Sequence, residues 1–181
     1  MKPITIILAV AAAALLTSDI FHASAMRHWR DGRAAEGMNM LIRASRVNPL
    51  AFNVRLDQIE SLYAGYRQTK NLDYLREAVV IGKSLTVNYP GSVQGWDIYA
   101  TAMIHTAVHG GSSYYPLGEA AKAANMDPIS VSAIENLMFL LSAKRGDYEL
   151  FKTLGIKRSR LTREPLKMVC ALCGRGWLEH R

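Results

Sequence analysis

The sequence is poor in cysteine and in acidic residues. Its two cysteines, Cys170 and Cys173, are too few for a disulfide framework, so cysteine content does not identify the redox compartment. Aspartate and glutamate number 15 against 22 lysines and arginines, which gives a net charge of +7. This shortage of acids favours contact with an anionic membrane surface, nucleic acid or an acidic protein, although an ordinary basic surface has the same composition.

Motifs of the common enzyme classes are also missing from the sequence. It contains no nucleophile beside a recognisable base, no glycine-rich phosphate loop and no complete set of metal ligands. His105 and His109 share a helix face in "HTAVH", but two ligands do not make a metal site, and the glycines that follow are typical of a helix end. We therefore expect a protein that is not an enzyme and that uses no cofactor or metal.

Strand patterns are missing as well. Segments such as "EAVVIGKSLTV" follow a helical period instead of alternating apolar and polar residues. The chain has 181 residues, half of them apolar, which is enough for about one compact domain and an appendage. The sequence therefore predicts an all-α fold.

The N-terminus has the charge pattern of an export signal. Lys2 precedes an uncharged run from Pro3 to Ser18, and Ala23, Ser24 and Ala25 form a triplet that a signal peptidase could cut. The run is shorter than the 20 or so apolar residues of a membrane span, unless residues beyond Asp19 extend it. A cleaved signal and a membrane anchor are both compatible with this composition.

Helical spacing beyond the apolar run favours the anchor. Cleavage after Ala25 would remove half of the first helix of the domain. It would also uncover Met38, Leu41 and Ile42 on the facing helix, around residues 34–47, at about 1.5–3 kcal/mol for each side chain. We expect an uncleaved single-pass anchor whose helix continues into the domain.

The start of the chain also bears on the location of the domain. A short "MK" followed at once by an apolar run is typical of export, so we expect a bacterial inner-membrane protein with a periplasmic domain. Arg27, Arg30 and Arg33 follow the span closely and favour the opposite orientation.

Asparagine or aspartate with proline recurs along the chain. "VNP", "NYP" and "MDP" end at Pro49, Pro90 and Pro128, and each closes an amphipathic helix. Because proline cannot continue a helix interior but suits the first turn of the next helix, these positions predict helix junctions. Their spacing of about 38 to 41 residues is typical of a helical repeat array.

These helices resemble the tetratricopeptide (TPR) repeat family, whose motif of about 34 residues forms a pair of helices, A and B. The resemblance covers residues 18–154 and implies an α-solenoid of three to four degenerate repeats after one apolar N-terminal helix. Its departures are Glu60 at a small-residue position, a lengthened turn at "YRQTKN" and the insertion "HGGSSYY" before a helix that starts near Pro116. The matching residues are Trp96, Tyr99, Ala100 and Met103 on one A helix, Gly37, Leu41, Ala44 and Pro49 on one B helix, and Ile134, Leu137, Met138 and Leu141 in the fourth unit.

The resemblance divides the chain into an anchor or signal segment at 1–18, a repeat domain at 19–156 and a basic tail or capping helix at 157–181. It also implies that small residues, Ala25, Ala44, Ala100 and Ala123, lie where paired helices come closest.

Family members bind an extended peptide or a partner helix along the inner face of their A helices. The fifth motif position corresponds to Asp57, Asp97 and Glu135 in successive units, and the ninth to Ser61, Thr101 and Phe139. A row of carboxylates there would attract a basic or amine-bearing segment of a protein partner. Alternatively, each acid is a solvated residue near a helix N-terminus, where negative charge is favourable.

The C-terminal part combines a basic run with an apolar stretch. The run predicts either a cap over the last repeat or a contact with lipid or a partner. Nucleic acid is not expected, because the run has no aromatic residues for base stacking. We interpret Cys170 and Cys173 as small apolar residues of a C-terminal helix. The alternative is a labile disulfide or regulation through the thiols. The basic residues are Lys157, Arg158, Arg160, Arg163 and Lys167.

Together these features predict a membrane-anchored scaffold or adaptor of the cell envelope, similar to anchored repeat proteins of assembly and polysaccharide export systems. Two alternatives stay open. One is a non-catalytic subunit of a larger membrane complex, for which "AVAAAALL" offers small residues for close helix contact. The other is a secreted soluble repeat protein after signal cleavage.

Overall fold

The chain is all-α, as predicted, over the part that the computed structural model describes: residues 3–110, 116–143 and 148–162. No strand occurs in these three ranges. These ranges contain eight helices: α1 (Pro3–Arg30), α2 (Ala34–Val47), α3 (Phe52–Thr69), α4 (Asp73–Asn88), α5 (Val93–Gly110), α6 (Leu117–Met126), α7 (Val131–Ala143) and α8 (Tyr148–Thr162).

The helices group into two compact units, Met1–Asn88 and Tyr89–Arg181. In the first unit α1 packs on α2, α2 on α3, and α3 on α4. In the second unit α5 packs on α6, α6 on α7, and α7 on both α8 and α5. The boundaries predicted after residues 18 and 156 fall inside α1 and α8, and as domain boundaries they stay predictions.

The predicted junctions at proline are helix ends with a shared hydrogen-bond pattern. Asn48 and Asp127 leave the helical region at φ of −130° and −132°, and each still donates its N–H to the carbonyl four residues earlier. The side-chain oxygen of each residue accepts the N–H two residues further on, at 3.2 and 3.1 Å. At Tyr89, Asn48 and Asp127 alike, the carbonyl accepts the N–H three residues later, which closes the turn.

Helix α1 is unbroken from Pro3 to Arg30 and has two different environments. Its first half is exposed and apolar, whereas from Ser18 onward it packs on α2. Ser18 is fully buried and donates its hydroxyl to the Ala44 carbonyl at 3.1 Å. The helix is long and apolar enough to cross a membrane, and a signal sequence would have the same features.

Small residues allow the helices of each unit to approach closely. Ala25 and Ala44 in the first unit and Ala100 and Ala123 in the second are fully buried, as predicted. Gly37 on α2 is a stricter case, because a Cβ there would lie 2.5 Å from the Trp29 ring. The contact between α1 and α2 therefore depends on the missing side chain.

Charged residues concentrate at the turn between α1 and α2. Gly32 adopts a left-handed φ of 76°, which glycine tolerates at no steric cost. Arg33 donates to Asp31 at 2.7 Å and to Glu36 at 3.0 Å. The hydrogen bond from Arg33 lowers the pKa of the exposed Asp31 carboxyl, and the same bond raises the pKa of Arg33.

Candidate functional site

Asp57, the first of the three predicted carboxylates, contacts another helix. It lies in the second turn of α3, and its Oδ2 is paired with Nε2 of His22 on α1. Both side chains are about one-quarter exposed. Ser61, one turn later, donates its hydroxyl to the Asp57 carbonyl at 2.7 Å, so its hydroxyl proton is used within α3.

Asp97 on α5 is joined to α7 by an amide. The Asn136 side chain donates to Asp97 Oδ1 and to Thr101 Oγ1, both at 2.8 Å. Thr101 in turn donates to the Asp97 backbone carbonyl at 2.9 Å. Two of the predicted binding residues therefore share a single partner on the neighbouring helix.

Glu135 on α7 is joined to α8 by an arginine. Nε and Nη2 of Arg158 both lie 2.7 Å from Glu135 Oε1. Arg158 is only 6% exposed, so this contact holds a guanidinium inside the second unit. Phe139, the remaining predicted residue, packs partly buried against the core of the same unit.

The three carboxylates thus share one property: each contacts a side chain from another helix of its own unit. Asp57 belongs to the first unit, and Asp97 and Glu135 belong to the second. The side chains of Asp57 and Glu135 are nevertheless 26% and 37% exposed, so the alternative of a solvated residue near a helix N-terminus also stays a prediction. Recruitment of a basic segment by these acids stays a prediction.

Sequence reasoning did not find the partners His22, Asn136 and Arg158. A signal was available for two of them, because His22 precedes Asp57 by 35 residues and Asn136 follows Asp97 by 39. These separations are close to the spacing of the junctions, so polar residues about one repeat apart could have been paired. Arg158, 23 residues after Glu135, has no such signal.

The first unit contains a cleft of about 760 Å³. Its walls come from α2 and α3, with the ends of α1 and α4, and Ser61 lies on one wall. The lining mixes apolar side chains such as Trp29, Met38 and Tyr74 with the charged Glu60 and Arg67. Such a cleft has room for a few side chains of a peptide and offers both apolar and charged contacts.

The second unit contains a smaller cavity of about 440 Å³ between α6, α7 and α8. Its lining is apolar except for Asn125 and Lys157. Among the residues of the predicted basic patch that the structure describes, Lys157 is the one that lines a cavity.

The rest of the basic patch divides between surface, core and undescribed chain. Arg160 is exposed on α8, whereas the burial of Arg158 removes it from the surface. Arg163 and Lys167 lie outside the described residues, as do Cys170 and Cys173. A role of this patch in lipid or partner contact stays a prediction.

His105 and His109 are neighbours on α5, as their spacing predicts. Their rings stack with centroids 5.9 Å apart and an interplanar angle of 17°. Within residues 3–110, 116–143 and 148–162, no group of three histidine, cysteine, aspartate or glutamate residues is arranged to hold a metal ion.

An aromatic cluster marks the start of α5, at the predicted Trp96 and Tyr99. The two rings meet edge to face at 6.4 Å, and the Lys122 ammonium lies 3.8 Å from the centre of the Trp96 ring. Burial raises the pKa of the Tyr99 hydroxyl, and the negative charge of Glu119 adds to the shift. These contacts connect α5 to α6 and give Trp96 a packing role.

No protein-family model matches the chain, and a search of curated proteins finds no significant match.

Proposed function

We propose that this protein is a membrane-anchored, TPR-like scaffold or adaptor, in which α1 is the anchor and the helix pairs bind a protein partner. The observation that carries the proposal is the continuity of α1 between two environments. An exposed apolar half and a half packed on α2 belong to one helix without a break. Insertion of the first half into a bilayer would hold the helix pair directly at the membrane surface.

The hydropathy and exposure of α1 support the anchor. An 18-residue window of α1 has a mean hydropathy of 2.2, and only 6% of this window is buried inside the molecule. Exposing that much apolar surface to water costs about 25 cal/mol for each Å², and a bilayer removes the cost.

Two structural regularities support a TPR-like α-solenoid. The junctions at Asn48 and Asp127 repeat the same backbone and side-chain hydrogen bonds. In addition, helices that would be the A helices of successive pairs contact each other within each unit, through His22 with Asp57 and through Asn136 with Asp97. Such contacts between successive A helices are expected when helix pairs stack as repeats.

The proposed mechanism is docking and not catalysis. A basic or amine-bearing segment would bind the inner face of the A helices, near Asp57 in the first unit or near Asp97 and Glu135 in the second. In the first unit the cleft offers a further contact. Because α1 confines the scaffold to the bilayer, a partner in the same membrane is held at a high effective concentration. We place this function in the envelope of a bacterium, with a periplasmic domain, in an assembly or polysaccharide export system.

Extraction of membranes with alkaline carbonate tests the anchor, since carbonate releases peripheral proteins and leaves integral ones in the pellet. We expect the full chain in the pellet and a Leu8→Lys/Leu16→Lys variant in the supernatant, because a lysine in the bilayer costs about 2.5–3.5 kcal/mol. Val80→Lys is the matched control, since Val80 is an exposed apolar residue of α4. Release of the unmodified chain by carbonate would contradict the proposal.

Affinity purification from detergent, followed by mass spectrometry, tests the docking role. We expect one main partner whose capture weakens as salt is raised, because salt screens the attraction between a basic segment and these carboxylates. A fixed stoichiometric assembly that withstands salt would instead identify a subunit of a membrane complex. The variant Asp57→Asn/Asp97→Asn/Glu135→Gln should reduce capture, and unchanged capture would exclude the acids from the binding surface.

A further inference from the structure

Two contacts in the first unit show which residues of α1 lie beside the turn between α2 and α3. The Ser18 hydroxyl meets the Ala44 carbonyl on the antiparallel α2, and His22 meets Asp57 on α3. At a rise of about 1.5 Å per residue, the end of α2 at Val47 then lies about level with residue 15 of α1. Counting back along α3 from Asp57 places its first residue about level with residue 17. Both counts put the α2–α3 turn beside the apolar half of α1.

This turn, residues 47–52, is named here the membrane-proximal turn. Its sequence, "VNPLAF", is uncharged, and Leu50 at its tip is 60% exposed. α4 ends on the same side of the unit, since it runs antiparallel to α3, and Val87 in its last turn is 69% exposed. The opposite end of the unit carries the charged turn around Arg33.

The exposed apolar surface of α1 continues past the level of this turn. Leu15 and Leu16 are exposed at that level, and Ile20, one turn further into the unit, is 67% exposed. An apolar layer that covers α1 as far as Leu16 therefore also reaches Leu50. This conclusion does not depend on how far α1 extends at its other end.

Basic side chains surround the turn at the depth of a headgroup layer. Arg43 and Arg46 are exposed on the last turns of α2, about level with Asp19 and residue 16 of α1. Neither arginine forms an ion pair with any residue that the structure describes. An uncharged apolar tip followed by arginines matches the order of acyl chains and phosphates in a bilayer.

We propose that the membrane-proximal turn inserts into the interface of the bilayer that α1 crosses, with Arg43 and Arg46 bound to anionic phospholipid headgroups. The inference rests on the proposed function, because α1 brings the turn to the membrane. It adds a second membrane contact, which fixes the tilt and rotation of the first unit relative to the bilayer. The partner is the lipid surface itself, and its chemistry is an anionic phosphate above an apolar layer.

The test uses the full chain with Cys170→Ser and Cys173→Ser, reconstituted in vesicles of phosphatidylcholine and phosphatidylglycerol in equal amounts. A polarity-sensitive fluorophore is attached to one new cysteine at a time: Ile7→Cys in α1, Leu50→Cys in the turn, or Gln68→Cys at the far end of α3. Gln68 is exposed and serves as the matched control. Lipids with a nitroxide quencher near the top of their acyl chains report contact, and circular dichroism confirms that each variant is folded.

We expect quenching at Ile7 and at Leu50, where about half of the fluorescence should be lost at an insertion depth of ~5–10 Å, and no quenching at Gln68. Quenching at Ile7 without quenching at Leu50 would overturn the turn proposal and leave the anchor in place. Loss of quenching at both sites would overturn the anchor itself. Equal quenching at Leu50 and Gln68 would mean nonspecific adsorption and would also contradict the proposal.

The arginines are tested separately in the Leu50→Cys protein. The Arg43→Gln/Arg46→Gln variant should need about fivefold more phosphatidylglycerol per lost arginine to reach the same quenching. Arg67→Gln/Arg76→Gln, at exposed positions of α3 and α4, is the control with the same change in net charge. An identical phosphatidylglycerol dependence in all three proteins would remove the headgroup contact from the proposal.

Discussion

Each carboxylate of the predicted binding row makes an intramolecular contact that also orders its helices. Asp57 pairs with His22, and Glu135 pairs with Arg158. The guanidinium of Arg158 offsets part of the charge of Glu135, so the attraction of this carboxylate for a basic ligand is weaker than that of a free one. We therefore expect any substitution at these positions to change stability, and partner capture by such variants has to be compared at equal folded fractions.

The substitution Glu135→Gln tests how much the predicted row of carboxylates contributes to stability. The change removes the negative charge that contacts the buried Arg158 guanidinium at 2.7 Å, and we expect a loss of about 2 kcal/mol in the free energy of unfolding. Urea denaturation measures the loss. Glu149→Gln, at an exposed position of α8, should change the free energy by less than about 0.5 kcal/mol. Equal effects of the two substitutions would contradict a structural role for the ion pair.

Tyr99 gives the second unit a pH dependence in alkali. Burial, aided by the charge of Glu119, raises the pKa of Tyr99. Because the folded pKa exceeds the unfolded value of about 10, the neutral phenol favours folding below that value, and the contribution is lost as pH rises through the folded pKa. Tyr99→Phe should therefore reduce the loss of stability above about pH 10.

Urea midpoints measured across the alkaline range check the Tyr99 prediction. The ultraviolet difference titration between the unmodified chain and Tyr99→Phe isolates the ionisation of this hydroxyl. Glu119→Gln should lower the midpoint of that titration, because it removes the nearby negative charge. A Tyr99 midpoint at or below the ordinary tyrosine value would contradict the account.

At the scale of elements, the close approach of α1 and α2 shows how the apolar N-terminal helix is packed into the first unit. Gly37 faces the Trp29 ring and the Ala25 carbonyl, while Ser18 is buried against Ala44. The helix that carries the apolar run is thus packed against its neighbour by positions that accept only small side chains. A flexible tether would not need such contacts.

Gly37→Ala tests this contact. The added Cβ would lie 2.5 Å from the Trp29 ring and 3.2 Å from the Ala25 backbone oxygen, and backbone cannot move away as a flexible side chain can. We expect overpacking of about 1–3 kcal/mol to exceed the gain in helix propensity of at most ~1 kcal/mol, so the unfolding free energy falls. Gly118→Ala on α6, where nothing lies within 4 Å of the added Cβ, should be neutral or stabilising. Stabilisation by Gly37→Ala would contradict the packing described.

Helices and junctions could be predicted well from the sequence. The helix expected around residues 34–47 is α2, and the helix expected near Pro116 is α6, which begins at Leu117. Helical periodicity and proline are local signals, so one sequence suffices to read them. The depth of Ser18 and the level of the α2–α3 turn could not be predicted, because they depend on which residues of two helices meet.

The pairing of the candidate site shows the same limit. The positions of Asp57, Asp97 and Glu135 follow from the helix period, but their partners lie 23 to 39 residues away in sequence. Periodicity gives the face of a helix and not the identity of the side chain opposite. Arg158 is a case in point, because it is buried although it belongs to the same basic run as the exposed Arg160.

At the scale of the whole molecule, the proposed membrane-anchored role requires that α1 is retained in the mature protein. In the proposed account, an intact α1 brings its apolar half, the membrane-proximal turn and the arginines of α2 to one bilayer and holds the first unit there in a fixed orientation. If the chain is cut after Ala25, the contacts of Ser18 and His22 are lost and the first unit loses its first helix. The two outcomes differ in both the mass and the location of the protein.

The intact mass of the protein, purified from both the membrane and the soluble fraction of bacteria that express the full chain, distinguishes them most directly. The account expects a membrane-bound protein whose mass includes the whole of α1, Pro3–Arg30. A soluble protein whose mass corresponds to a chain beginning at Met26 would contradict it.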